Sequence, residues 1–210
     1  YKLFPNWNVR INNMQKLFGM DKYLKSLSIE HASTGQYTKN FKLLDGIETS
    51  DGETFTTQYQ PFLRISGKLK WDVDVSVNYT SSQNYSFQAA GNSNKQLNNS
   101  YTFDVRYSHR GGFKIPLPFL RNRKIKNEMN FTMQVQSTQN KNYTRSITGP
   151  NAGKYVEMDV SNNLSFNPVI TYRLSKNVNG DIYSVYRKQK SKRMESSHFE
   201  MGVRVNIEIR

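Results

Sequence analysis

The segment 199–209, Phe-Glu-Met-Gly-Val-Arg-Val-Asn-Ile-Glu-Ile, alternates between apolar side chains and polar or small ones at every position. A period of two places the apolar residues on one face of a β-strand, whereas on a helix they would be scattered around the axis. The same alternation occurs in residues 71–79, 101–107 and 129–135. The sequence therefore predicts an all-β protein whose strands each have one apolar and one polar face.

Nine strands are predicted from this pattern, and several exceed the roughly five or six residues usual in soluble sheets. They lie near residues 6–13, 25–38, 54–70, 72–88, 98–113, 126–147, 154–175, 178–190 and 196–209. Very short connections at Lys70–Asp72 and Ser175–Val178 alternate with longer polar ones at residues 39–53, 89–97 and 148–153, which are rich in turn-forming residues. An antiparallel up-and-down meander is predicted, with its long polar loops at one end.

The composition fits a sheet with a thin apolar layer. Hydrophobic residues make up only 36% of the 210 residues, yet the chain has 13 Tyr, 12 Phe and 2 Trp, too many aromatic residues for a disordered chain. No apolar run approaches the roughly 18 residues of a membrane-spanning helix. Cysteine is absent, which excludes disulfides and thiolate chemistry within these residues.

The net charge is +14, from 30 Lys and Arg against 16 Asp and Glu. A strongly basic chain often binds nucleic acid, but here the basic residues concentrate in connecting segments such as 121–126 and 187–193. This distribution favours solvated turns over phosphate recognition, and no nucleic-acid partner is predicted. A basic surface also suits anionic lipid headgroups or acidic proteins.

Aromatic residues stand at both ends of the apolar stripes. Trp71 and Tyr79 enclose three valines, and Tyr101 and Tyr107 enclose the next stripe. Rings with a polar tip prefer the two interfaces of a bilayer, and residues 71–79 approach the roughly 9–11 positions that a tilted strand needs to cross it. We therefore predict a transmembrane β-barrel in the outer membrane, with the lipid bilayer on its apolar side and water on its polar side.

An odd number of strands does not complete a bacterial single-chain barrel, and an open sheet edge has no hydrogen-bond partners in lipid. The expectation is that residues 1–210 form the C-terminal portion of a larger barrel, whose other strands precede Tyr1. Two connections on the tight-turn side, 14–24 and 114–125, mix apolar and basic residues. The first is expected to form a short helix on the membrane surface, and Pro116 and Pro118 exclude an uninterrupted helix in the second.

Four short segments resemble a known protein family. Pro5–Arg10 (Pro-Asn-Trp-Asn-Val-Arg), followed by Leu27–His31 (Leu-Ser-Ile-Glu-His), resembles a Pro-Asn-Trp motif and a His-bearing strand near the C-terminus of SprA/Sov proteins. Gln60–Ile65 (Gln-Pro-Phe-Leu-Arg-Ile) and Gly111–Pro116 (Gly-Gly-Phe-Lys-Ile-Pro) resemble the same region. Where that family usually has His-Gly-Tyr, this chain has His-Ala-Ser at residues 31–33.

The resemblance implies a function in protein export. SprA/Sov proteins form the outer-membrane translocon of the type 9 secretion system, a very wide barrel with a lateral opening that passes folded cargo proteins. Their partners are a PorV-type shuttle barrel and a periplasmic plug protein, and they are conduits rather than enzymes. By this resemblance the chain is part of the wall of such a channel, and secreted cargo proteins are among its partners.

Candidate metal ligands are few and scattered. The histidines lie far apart in the sequence and lack acidic neighbours at ligand spacing, so no metal site is predicted at any of the three, which are His31, His109 and His198. The segment Asp45–Glu53 carries four acidic residues with oxygen ligands suited to Ca²⁺, namely Asp45, Glu48, Asp51 and Glu53. A solvated acidic loop is the preferred interpretation of that segment.

Asp72 and Asp74 share one face of a predicted strand and are a candidate paired-carboxylate site. Their position beside a tight turn favours pairing with Lys68 and Lys70 instead. Neither a glycine-rich phosphate loop nor a Gly-x-Ser-x-Gly elbow occurs in the sequence. No catalytic residue, cofactor or metal is predicted, and the chain is not expected to be an enzyme.

Two alternatives are open at this level. A soluble or surface-attached β-domain, such as an adhesin or a ligand-binding module, would bury the apolar face in a core. Another outer-membrane barrel, such as a nutrient receptor or a lipopolysaccharide exporter, would share the strand pattern. The absence of cysteine disfavours the exporter, whose family often carries cysteine pairs.

Overall fold

The computed structural model of the protein describes residues 5–89, 91–109, 113–114, 124–125, 128–175 and 177–208. Nine strands of this part form one antiparallel sheet, in which each strand pairs with the next sheet strand along the chain. They are β1 (Trp7–Ile11), β2 (Leu24–Leu44), β3 (Ile47–Leu69), β4 (Val73–Gln88), β5 (Ser93–His109), β8 (Met129–Arg145), β9 (Tyr155–Arg173), β10 (Val178–Ser191) and β11 (Glu195–Ile207). The predicted all-β up-and-down meander is confirmed, and the sheet is open, because β1 and β11 are not paired with each other.

A short helix, α1 (Met14–Leu17), follows β1 and confirms the helix predicted within residues 14–24. Its Gln15 is buried and connects the helix to β2. The Gln15 side chain accepts a hydrogen bond from the Leu27 N–H (2.9 Å) and donates one to the Lys25 carbonyl oxygen (3.2 Å). These two bonds satisfy the buried amide and fix the helix against the start of the strand.

The connection between β5 and β8 contains a small separate sheet. Its strands, β6 (Phe113–Lys114) and β7 (Lys124–Ile125), pair with each other and not with the main sheet. The prediction for residues 114–125 was based on Pro116 and Pro118, which lie outside the described residues. The described part of this connection is therefore a hairpin base.

The long polar loop predicted at residues 39–53 is wrong, whereas the one predicted at 148–153 is confirmed, since β8 ends at Arg145 and β9 begins at Tyr155. β2 continues to Leu44 and β3 begins at Ile47, so residues 39–53 form a hairpin with only Asp45 and Gly46 in its turn. Both turn residues have positive φ (50° and 80°), which two-residue hairpin turns require and Asp-Gly accommodates. The apolar residues among 39–53 do not keep to one face, so this segment lacks the regular alternation from which the strands were predicted.

The lengths of the connections also differ from the prediction. At the end of the sheet that contains the Asp45–Gly46 turn, here called the distal end, the other connections are 89–92, 146–154 and 192–194. At the opposite, proximal end the connections are 12–23, 70–72, 110–128 and 174–177. The two longest, 12–23 and 110–128, overlap the segments 14–24 and 114–125 that the sequence placed on the tight-turn side, and the connection 89–92 is shorter than the predicted 89–97.

Neither face of the sheet is covered by a second layer in the described part of the chain. Ala32 is its only buried hydrophobic residue, at 8% exposure, whereas Met201 and Val203 are 72% and 71% exposed. A soluble domain buries the apolar face of a sheet against another layer. The described residues do not form the core that a soluble β-sandwich requires.

Pro168 interrupts the hydrogen-bonded ladder between β9 and β10. The Leu174 N–H donates to the Val178 carbonyl oxygen (2.9 Å), so every second residue of β9 counted back from Leu174 directs its backbone toward β10. Position 168 is one of these. Proline has no N–H to donate, and the register has a gap between the pairs Val169–Tyr183 and Phe166–Tyr186. The gap is therefore a direct consequence of this residue.

Replacing Pro168 with valine is expected to raise the free energy of unfolding by about 1 kcal/mol, because one backbone hydrogen bond is restored. Urea unfolding measures the change. Hydrogen exchange provides the site-specific control, since the new amide at position 168 should be protected from exchange. An unprotected amide there would contradict the assigned ladder.

Candidate functional site

The cross-strand register joins the apolar stripes of the strands into one continuous surface, here called the apolar band. In one of its rows, Val77 on β4 lies opposite Phe103 on β5, and Val135 on β8 lies between Phe103 and Phe166 on β9. Two further rows run parallel to this one, both on its proximal side. The three rows contain no charged residue; their members are Leu27, Ile29, Ile65, Gly67, Val73, Val75, Val77, Phe103, Val105, Tyr107, Phe131, Met133, Val135, Phe166, Pro168, Ile170, Ile182, Ser184, Tyr186, Phe199, Met201 and Val203.

An aromatic cluster borders the band toward the distal end and extends across five neighbouring strands. Its rings follow one another from β1 to β5, with centroid distances of 6.0 Å for Trp7–His31, 5.5 Å for His31–Phe62, 5.3 Å for Phe62–Tyr79 and 4.6 Å for Tyr79–Tyr101. The sequence predicted Tyr79 and Tyr101 as border residues. It did not predict the other three, because register shifts in β2 and β3 bring them into line.

Aromatic residues also border the band toward the proximal end. Tyr107 and His109 stack with their ring centroids 6.2 Å apart, and Trp71 is 69% exposed in the turn after β3. Trp71 was predicted to lie on a strand, but β4 begins only at Val73. From Tyr101 to Tyr107 the strand advances by about 20 Å, at about 3.4 Å per residue.

The opposite side of the sheet, the polar face, carries a largely uncharged panel over the distal half of β2 to β9; the charged residues beside it include Asp159, opposite Asn142, and Arg187, opposite Ser165. This neutral panel consists only of Ser, Thr, Asn and Gln side chains, and neighbouring strands are bridged by hydrogen bonds such as Ser100–Thr138 (3.3 Å) and Asn140–Ser161 (3.4 Å). Its members are Thr34, Gln36, Thr38, Thr54, Thr56, Gln58, Asn78, Thr80, Ser82, Asn84, Ser86, Asn94, Gln96, Asn98, Ser100, Thr102, Gln136, Thr138, Asn140, Asn142, Thr144, Ser161, Asn163 and Ser165. Such groups need water on their free side.

A charged groove of about 400 Å³ lies proximal to the neutral panel on the same face. Opposite charges face one another across its strands, and Asp104 accepts hydrogen bonds from Ser76 (3.3 Å) and Gln134 (2.9 Å). The charged residues that line it are Arg10, Glu30, Arg64, Lys68, Asp74, Asp104 and Arg106. Such a mixture of charges is stable only in contact with water, which places the aqueous side of the sheet here.

Gly202, the one small residue in the segment that opened the sequence analysis, lies under an aromatic ring on the polar face. The Tyr183 hydroxyl donates a hydrogen bond to Glu200 (2.9 Å), and the Arg204 guanidinium lies 5.3 Å from the Tyr183 ring centroid. A Cβ atom at position 202 would stand 2.6 Å from the Tyr183 hydroxyl oxygen. Glycine therefore permits the ring to lie flat across β11.

The candidate metal ligands are not brought together. His31 is part of the aromatic cluster and is hydrogen-bonded through Nδ1 to the Phe62 carbonyl oxygen, His109 stacks on Tyr107, and His198 lies 3.8 Å from Glu200. Within the described ranges, no group of three or more His, Asp or Glu side chains is arranged to hold a metal ion.

The predicted acidic loop Asp45–Glu53 is wrong as a loop, because most of it belongs to β3. Asp51 forms an ion pair with Lys42 (2.8 Å), and Glu53 forms one with Lys39 (3.5 Å). These cross-strand pairs neutralise the carboxylates that were considered as Ca²⁺ ligands.

Asp72 and Asp74 do not form a carboxylate pair on one strand face. Asp72 lies in the turn before β4, with a positive φ of 60°. It pairs with Lys25 (2.6 Å) and with the predicted Lys68 (3.9 Å). The hydrogen bond from Lys25, followed by the charge of the same ammonium group, lowers the pKa of Asp72 below that of a free aspartate.

Substituting Lys25 with methionine is expected to raise the pKa of Asp72, whereas Lys70→Met leaves it unchanged. Because the pKa is lowered in the folded state, the stabilisation is present above the pKa of an unfolded aspartate and is lost as pH falls through the folded value. Carbon NMR of the Asp72 carboxyl group during an acid titration measures the shift. Equal responses to the two substitutions would contradict the pairing.

No helix in the described residues has the length and apolarity needed to span a membrane. Comparison of the sequence with protein-family models and with curated proteins finds no match. The geometry of the two faces and the sequence itself are therefore the basis of the functional assignment.

Proposed function

We propose that this sheet is part of the wall of an outer-membrane protein-export channel. The apolar band contacts lipid, and the polar face lines an aqueous passage. The observation that carries the proposal is the apolar band itself, which is free of charge, uncovered, and bordered by aromatic residues at both ends. The band is about 20 Å long along the strand, which at the usual tilt of transmembrane strands is a height of about 15 Å, and its two aromatic borders resemble the aromatic girdles on either side of the apolar layer of a transmembrane sheet.

The energetics support lipid as the cover of this face. Removing a Val, Ile, Phe or Met side chain from water stabilises a structure by about 1.5–3 kcal/mol. In water alone the sheet buries none of the residues of the band, and several are exposed, including Phe199 and Met201 at 66% and 72%. Acyl chains against the band supply that burial, and they require no second protein layer.

The backbone of β11 supports further strands beside it. The Ser191 N–H donates to the Met194 carbonyl oxygen (2.8 Å), so Met194 and every second residue after it on β11 direct their backbone groups toward β10. Val203 belongs to the other set, and its N–H and C=O point away from β10. In lipid these groups require partners. We infer that additional strands pair with both edges of the sheet and close it into a larger barrel, of which residues 1–210 are a part.

Export is favoured over other barrel functions by the neutral panel and by the resemblance to SprA/Sov proteins. A wall made mostly of hydroxyl and amide groups offers a passing protein few apolar contacts and few fixed charges, so folded cargo is only weakly retained on it. By the same resemblance, the partners are a PorV-type shuttle barrel, a periplasmic plug protein and the secreted cargo proteins.

Site-specific photo-crosslinking tests this function. A benzoylphenylalanine at Thr138, on the neutral panel, is expected to capture secreted proteins in transit, while the matched residue at Val135, on the apolar band of the same strand, captures none. Depletion of the protein should at the same time retain the secreted proteins in the periplasm. Normal secretion after depletion, with loss of nutrient uptake or of surface lipopolysaccharide, would instead support one of the other outer-membrane barrels.

A further inference from the structure

A row of basic residues follows the distal border of the apolar band, on the same side of the sheet. On β10, Lys188 comes two residues after Tyr186, and on β8, Lys141 comes six residues after Val135. On β5, Lys95 lies six residues beyond Tyr101. Counted from the row of Tyr101, Lys188 is level with the border, Lys141 lies four residues beyond it and Lys95 six, so along tilted strands the last two stand roughly 10 and 15 Å beyond it. This is the depth at which the headgroups of a surrounding leaflet would begin.

Lys95 and Lys141 form the centre of this row. The Lys95 Nζ lies 5.3 Å from the ring centroid of Tyr85 and 5.7 Å from that of Tyr143, so it is held between two rings on neighbouring strands. Lys141 is on the same side, opposite Leu97. Neither lysine forms an ion pair with an acidic side chain in the part of the chain that the structure describes.

Basic residues outnumber acidic ones on this surface. Lys188 and Lys190 share a single partner, Glu195, at 2.7 and 3.7 Å. The basic residues on this side, distal to the band, are Lys39, Lys95, Lys141, Arg145, Lys188 and Lys190, and the acidic ones are Glu48, Glu53, Glu157 and Glu195. The surface is therefore complementary to an anionic ligand.

The two sides of the same strands differ sharply in charge. On β8, Lys141 and Arg145 lie on the side of the apolar band, whereas the polar face at this height carries Thr138, Asn140 and Asn142. Basic residues that served only solubility would occur on both sides. On β5 and β8, the strands of Lys95 and Lys141, the distal basic residues occur only on the side of the band, whereas Arg187 on β10 lies on the polar face opposite Ser165. The restriction on β5 and β8 indicates a ligand that lies beside the band there.

We propose that this basic row binds the phosphorylated sugar headgroup of a glycolipid in the leaflet around the sheet, an inference that rests on the proposed function. The lysines meet the phosphates, and Tyr85 and Tyr143 provide aromatic surfaces for the sugar rings. The acyl chains of the same lipid pack on the apolar band, so one molecule contacts both surfaces.

Lipid binding by the intact protein in phosphatidylcholine nanodiscs tests the proposal. The probes are lipid A and its dephosphorylated form, and native mass spectrometry counts the lipid retained. Near an anionic surface each lysine contributes about fivefold in affinity, so Lys95→Gln combined with Lys141→Gln is expected to weaken lipid A binding by about 25-fold. The matched control, Lys68→Gln combined with Arg106→Gln, removes the same charge from the polar face and should change nothing.

The outcomes separate this inference from the proposed function. Insertion into nanodiscs with equal retention of the two lipids would overturn the headgroup site and leave the channel wall intact. Equal weakening by both double variants would also overturn it, because the effect would then be one of net charge. Failure of the protein to enter neutral nanodiscs would overturn both proposals. Competition by inorganic phosphate without any lipid preference would identify a phosphate site instead and contradict the lipid assignment.

Discussion

Val75→Arg is expected to lower the free energy of unfolding by about 2–4 kcal/mol, because it places a charge at the centre of the lipid-facing surface. Val75 lies in the middle row of the apolar band, between Gly67 on β3 and Val105 on β5. Its neighbour Ser76 points to the opposite, water-facing side, so Ser76→Arg should cost far less. Urea unfolding of the intact protein in detergent or lipid measures both changes.

A second pair of variants repeats this test at the edge of the sheet. Val205→Arg on β11 should cost less than Val75→Arg but more than Asn206→Arg, because Val205 lies on the side of the band but in the proximal border row of His109, where the cost of a charge falls toward about 0–1 kcal/mol. Arginine has the same size and charge at both positions of each pair, so within a pair the face of the sheet is the main difference. Equal losses within each pair would show that the two faces have the same surroundings.

Val203→Pro is expected to destabilise the intact protein by about 2–4 kcal/mol, as much as Val105→Pro does. At Val105, in the central strand β5, proline removes the N–H that bonds to β8 and leaves a carbonyl acceptor without a partner. At Val203 the N–H points to the open edge of β11, where the described sheet offers no partner. An equal loss therefore requires a further strand beside β11.

The matched controls are Val105→Ala and Val203→Ala, which shorten the side chain but keep the N–H. The difference between proline and alanine at each position isolates the backbone hydrogen bond. A large difference at position 105 with none at position 203 would mean that the edge of β11 is unpaired, and the closed barrel would then be wrong.

Much of the fold is predictable from the sequence because period-two alternation fixes which face each side chain occupies. Residues 73–79 and 199–207 carry this signal in pure form, and both became strands with the predicted orientation. The neighbour of each strand was also predictable, since an up-and-down meander pairs consecutive strands.

The distal halves of β2 and β3 were not predictable in this way. Residues 39–53 are mostly polar, and their apolar members, Phe41, Leu43, Leu44 and Ile47, do not keep to one face, so the hydrogen-bonded ladder leaves no regular alternation in the sequence. The Asp45–Gly46 turn was visible, but its extent was overestimated because the surrounding polar residues resemble a loop. The composition of this segment therefore predicts the turn but not the strands on either side of it.

The surfaces depend on register, which the sequence does not specify. His31 and Phe62 join the distal aromatic cluster only because β2 and β3 shift their pairing between Glu30 and Thr34. The ion pair of Asp72 with Lys25 similarly joins residues far apart in the chain. Each of these contacts follows from strand pairing and is absent from any local pattern.

The most direct test of the central claim is the solvent accessibility of alternate residues along β4. The 210 residues contain no cysteine, so single cysteines at positions 73 to 78 each carry one nitroxide label. In lipid vesicles, oxygen should relax the labels at 73, 75 and 77 most strongly, and a water-soluble nickel complex those at 74, 76 and 78. Access of the nickel complex to both sets alike would contradict a sheet with lipid on one face and water on the other.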